Sequence, residues 1–166
     1  MTTYHKLNKG IISEIFDWET SCFIKFGSVI RFKNYDEITR YHVQMTPNET
    51  LLFNKNANLL YKQFLWLIEK FFGKEIIVAL YDDIPGTRKP RTIKKEEMIT
   101  TDDYGLLWEL FYQAITHRAF PLFIASNGTI AMSPTDHLDI FVSYDETYSL
   151  SNVDLENQFE MVEWKK

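Results

Sequence analysis

Apolar positions recur along this chain in two rhythms, and the switches between them lay out its elements. Over 56–72, Ala57, Leu60, Tyr61, Phe64, Leu65, Ile68, Phe71 and Phe72 keep the i, i+3, i+4, i+7 spacing of one helix face. Gly73 stands where a left-handed residue closes such a helix. A second helix is predicted over 102–117, with Tyr104, Leu107, Trp108, Phe111, Ala114 and Ile115 as its buried stripe and Thr101 or Asp102 as its cap. A short helix is expected ahead of both, with Ile11, Ile12, Ile15 and Phe16 on its apolar face and Asn8 placed to cap it.

The other rhythm has a period of two. Cys22/Ile24/Phe26 and Thr39/Tyr41/Val43/Met45 alternate with their neighbours, which predicts strands over 21–32 and 38–45 joined as a hairpin by polar residues 34–37. Ile76 to Leu80 is continuously apolar, the signature of a central strand covered on both faces. Pro85, Gly86 and Pro90 mark 82–91 as a loop, with a strand expected at 92–99. Asn127-Gly128 between the apolar runs 122–125 and 129–132 is a strong hairpin signal. Residues 138–142 form a further strand, and 155–164 close the chain as a strand or a helix. Strands outnumber helices and come in sequential pairs. The expectation is therefore an α+β single domain over 1–166, its sheet mixed or mainly antiparallel, with about three helices packed against it.

Composition supports a packed core, since 45% of the 166 residues are hydrophobic and 16% aromatic. The longest apolar runs fall far short of the ~20 residues that cross a bilayer. A lone cysteine, Cys22, excludes an internal disulfide and is read as a small buried hydrophobe on its strand. With no signal core at the N-terminus, the expected location is the cytoplasm.

Charge adds an asymmetry. Residues 1–100 carry 15 Lys/Arg against 12 Asp/Glu, whereas 101–166 carry 3 against 11. Within the first part, Arg88, Lys89, Arg91, Lys94 and Lys95 form one basic run able to follow phosphates. Glu96 and Glu97 follow it directly and no aromatic is interleaved, so nucleic acid is not the expected partner. The acidic C-terminal third is interleaved with Tyr144, Tyr148, Phe159 and Trp164. Acidic groups speed encounter with a basic partner, and aromatic rings anchor it.

Reaction signatures are sparse. Tyr81-Asp82-Asp83 differs by one residue from the spacing that holds polymerase magnesium. Asp136-His137-Leu138-Asp139 is the densest set of ligand types; on a strand, His137 and Asp139 would share a face. That pair carries the alternative of a metal-dependent hydrolase. No nucleophile elbow or phosphate-cradling glycine loop is present. The chain is therefore read as a non-enzyme without cofactor or metal.

Several stretches together resemble small bacterial cytosolic proteins, some of them immunity proteins of polymorphic toxin and contact-dependent growth inhibition systems. They are Arg31-Phe32 ending an early strand, the aromatic helix over 57–72 leading into Ile76–Tyr81, and the block from Phe123 to Val142. Leu138-Asp139-Ile140 matches the close of that family's late block, while Ser133 to His137 departs from its Asp-Asp-Arg-Gly portion. The resemblance implies a protein that binds and neutralises a cognate toxin domain, such as a nuclease, and it implies no catalytic residues. The expected partner-binding residues are Asp136, Asp139, Tyr144, Asp145, Glu146 and Tyr148.

Overall fold

The computed structural model describes residues 1–8, 10–11, 15–20, 22–24, 27–83, 93, 97–145 and 153–164, with backbone alone for 81–83. In chain order the elements are β1 (Thr3–Lys6), β2 (Phe16–Asp17), β3 (Cys22–Phe23), β4 (Gly27–Phe32), α1 (Pro47–Phe71), β5 (Ile76–Asp83), β6 (Glu97–Thr101), α2 (Tyr104–Ile115), β7 (Ala119–Ala125), β8 (Ile130–Thr135), β9 (Asp139–Tyr144) and β10 (Phe159–Trp164). Eight strands make one sheet in the order β1-β6-β5-β7-β8-β9-β4-β10, and β2 and β3 pair separately. Every pairing is antiparallel. The class is α+β, with two helices among the described residues where about three were expected.

The early helix does not appear among the described residues. Phe16 enters β2 instead, while 12–14 lie outside the described residues. The hairpin expected from 21–32 and 38–45 is absent as well. Residues 39–42 take no regular structure, and β4 pairs with β9 and β10 instead. Ile38, Tyr41 and Met45 pack onto the main core as the chain approaches α1, whereas Val43 is 87% exposed, so the alternating positions do not share one buried face.

Both long helices form for local reasons. Thr46 caps α1 and accepts from the Glu49 N–H at 3.2 Å, while the Thr46 N–H donates back to Glu49 at 3.1 Å, a reciprocal box with Pro47 at the first turn. The His42 ring and these Thr46 groups hold the Glu49 carboxyl at a pKa of about 2. Asp103, rather than Thr101 or Asp102, caps α2 by accepting from Gly105 at 2.9 Å and Leu106 at 3.3 Å. Gly73 takes a φ of 76° just past α1, and Gly128 a φ of 72° in the β7–β8 hairpin. Although α1 is 25 residues long, no described helix is long and apolar enough to cross a membrane.

Alternation gives the sheet two faces. Ile76, Val78, Phe123, Met132, Ile140, Ile30 and Phe159 point to the helical side and join Phe53, Leu60, Phe64, Leu67, Leu107 and Phe111 in the main core. Phe64 ties the layers together, its ring 5.2 Å from Phe111 on α2 and 4.8 Å from Phe123 on β7. On the opposite face Ile77, Ala79, Leu122, Ile124 and Ala131 are covered by Ile15 and Phe16. One buried amide fastens the end of the chain. Gln63 of α1 donates to the Asp154 carbonyl at 3.3 Å and accepts from the Glu156 N–H at 3.2 Å.

Phe64→Ala should therefore lower the unfolding free energy by about 3–5 kcal/mol in urea denaturation, the cost of emptying a ring site in a packed core. Leu51→Ala, at a position 69% exposed on the same helix, should stay within about 0.5 kcal/mol of the parent. Equal losses in the two variants would contradict this assignment of the core.

Candidate functional site

The second face of the sheet changes character toward β10. Register places Ala131, Ser143, Gly27 and Trp164 in one row across β8, β9, β4 and β10. Ser133, Phe141, Val29 and Val162 form the next row, and Thr135, Asp139, Arg31 and Glu160 the third. The third row is polar throughout. Thr135 donates its hydroxyl to Asp139, and Arg31 Nε donates to Glu160 at 2.8 Å.

Over the first two rows lies a cavity of about 270 Å³. Its floor comes from Ser133, Phe141 and Trp164 with Thr135 at one end, and the β2–β3 pair contributes Phe16, Cys22 and Phe23. Trp164 lies flat on Gly27, where a Cβ would come within 2.2 Å of the indole ring, so only glycine permits this wall. Phe23 approaches that ring to 6.0 Å, and Phe16 in turn lies 5.3 Å from Phe23. Cys22, read from the sequence as a buried hydrophobe, is instead exposed beside the cavity, its thiol 3.3 Å from the Thr20 carbonyl.

The expected partner-binding residues scatter around this region. Asp136 and His137 sit in the turn between β8 and β9, closed by Leu138 in a left-handed conformation at φ 57°. Asp136 Oδ2 meets His117 Nδ1 at 2.9 Å. Because 136–138 turn rather than extend, His137 and Asp139 do not share a strand face. His137 is exposed, its carbonyl accepting from Arg40 at 3.2 Å, whereas Asp139 is only 2% exposed beneath Thr135. An acid that buried is not a surface contact, which corrects its expected role. Tyr144 ends β9, half-buried against the main core, and the Asp145 N–H donates to Thr129. Glu146 and Tyr148, like the basic run Arg88–Lys95, lie outside the described residues.

Nor do the acidic side chains gather on one face. Asp102 meets the Met1 amine, Asp103 caps a helix, Asp136 pairs with His117 and Asp139 is buried. The remaining described acids concentrate in 153–164, where Asp154, Glu156, Glu160 and Glu163 occur without a single Lys or Arg. Sequence reading included this stretch but could not single it out, because the roles of the other acids are set by distant partners. Among the described residues, no group of three His, Cys, Asp or Glu side chains is placed to hold a metal ion.

No family model, curated protein or solved structure matches this chain.

Burial raises the Asp139 carboxyl above its ordinary value of 3.8, although the Thr135 hydroxyl, His137 and Arg40 draw it down. The sign of the pH effect follows. As pH rises from 3.8 the unfolded carboxyl ionises first, so folded stability falls until the folded carboxyl also ionises. Asp139→Asn keeps an acceptor for Thr135 and should remove that decline, leaving the variant at least as stable as the parent at about pH 7. Urea denaturation across acidic to neutral pH measures it; an unchanged slope would place the ionisation elsewhere.

Proposed function

We infer that the protein acts by binding, as an immunity protein that neutralises a cognate bacterial toxin domain in the cytoplasm. The supporting observation is the end of the sheet at β10. This strand has β4 on one side and no described strand on the other, so its outer main-chain groups are available to pair. The same segment carries four acids and no base, interleaved with Val153, Leu155, Val162 and Trp164. An acidic strand edge with apolar side chains suits a basic partner such as a nuclease domain, whose own charge serves to hold phosphates. Acidic groups raise the rate of encounter, and a few buried aromatic anchors carry the affinity.

This reading moves the partner surface from the 136–148 region to 153–164. Asp139 is buried and Asp136 is paired, whereas Glu156 and Glu163 are exposed.

Co-expression with the product of the neighbouring reading frame tests the function. That product should arrest growth alone and be harmless when both are made; a product harmless alone, or still toxic in the pair, contradicts the reading. Replacing Glu156 and Glu163 by Lys should slow association about tenfold at low salt and change dissociation less. An unaltered on-rate would remove this edge from the interface.

A further inference from the structure

The cavity on the second sheet face has properties that the partner reading does not use. It has four aromatic walls, Phe16, Phe23, Phe141 and Trp164, and none of its described lining residues is charged. Its volume of about 270 Å³ exceeds the roughly 150 Å³ at which an apolar protein cavity takes up a benzene molecule. That leaves room for two fused rings. Aromatic walls favour a planar guest, through offset and edge-to-face contacts that a flexible aliphatic chain cannot make.

The polar groups nearby narrow the guest's charge. Thr135 Oγ1 is engaged twice, donating to Asp139 and accepting from the His137 N–H at 3.2 Å. The ionisable group next behind the wall is therefore an acid. Arg31, in the polar row of this face, is directed onto Glu160. An anion entering here would lose its water without meeting a cation among the described lining residues.

We propose that this cavity is a binding site for an uncharged planar aromatic molecule of about two fused rings. The site does not rest on the toxin-partner reading, because the sheet rows and the β2–β3 pair form it within one chain. The β2–β3 pair, with no side chain of the main core, supplies its outer wall.

The chain holds four tryptophans, Trp18, Trp66, Trp108 and Trp164, so an amide correlation spectrum contains one indole N–H signal for each, and Trp164→Phe assigns the one in the cavity wall. Titration with indole should shift the Trp164 signal saturably, with a Kd on the order of 0.1–1 mM, the efficiency of a small ligand on apolar walls. Indole-3-carboxylate, the same ring with an anionic group, should bind about tenfold more weakly or not at all. Ser133→Leu fills the floor and should abolish the shift. Alkylation of Cys22 in the parent chain with N-phenylmaleimide should do the same without any change of sequence, which keeps the test valid if Ser133→Leu fails to fold. No saturable shift, binding of the carboxylate as tight as that of indole, or an undiminished shift after alkylation would each overturn the proposal.

Discussion

An eight-stranded antiparallel sheet has two faces, and this chain has only two described helices with which to cover them. That shortage of cover is the constraint on which the rest of the structure depends. Both helices lie on one side, where Phe64 joins α1 to α2 and β7. The resulting core reaches across the sheet from Ile99 on β6 to Phe159 on β10. The apolar surface removed from water there is the dominant source of stability.

The other face is covered by short pieces. The segment around Ile15 and Phe16 lies over β5, β7 and β8 and closes a second, smaller core. Beyond β8 the side chains on this face change. Ser133, Thr135, Ser143, Arg31 and Glu160 take positions that, on the helical side, belong to Ile, Met and Phe. Two consequences share this origin. An aromatic-walled cavity remains where the β2–β3 pair arches over the sheet, and a buried carboxyl, Asp139, is stabilised by a cross-strand hydroxyl instead of by solvent. The sheet also ends at β10, a strand fastened by its ladder to β4 and, through the preceding residues, by the Gln63 amide.

The local part of this design was legible in the sequence. The spacing of Leu60, Phe64 and Ile68 marked α1, and the apolar run at Ile76–Leu80 marked an interior strand. Asn127-Gly128 marked the β7–β8 hairpin, and Gly73 the end of a helix. Thr46-Pro47-Asn48-Glu49 was an equally local signal, a capping box that sets the start of α1 nine residues ahead of the expected 56. What could not be read was pairing between distant segments. The period of two at 38–45 falls on an irregular approach to α1, and nothing local separates that from a strand in a ladder. The expected acidic face failed for a related reason. Asp136, Asp139 and Glu160 look alike in sequence, but His117, Thr135 and Arg31, each brought up by another element, give them different roles.

The central claim is that this molecule meets a protein partner along the edge built from residues 153–164. Hydrogen exchange read by mass spectrometry, on the protein alone and then with the neighbouring gene product added, tests it most directly. Backbone amides within 153–164 should gain protection in the complex, because an edge strand that acquires a neighbour loses its contact with water. Unchanged exchange in 153–164, with protection arising elsewhere on the surface, would contradict the account.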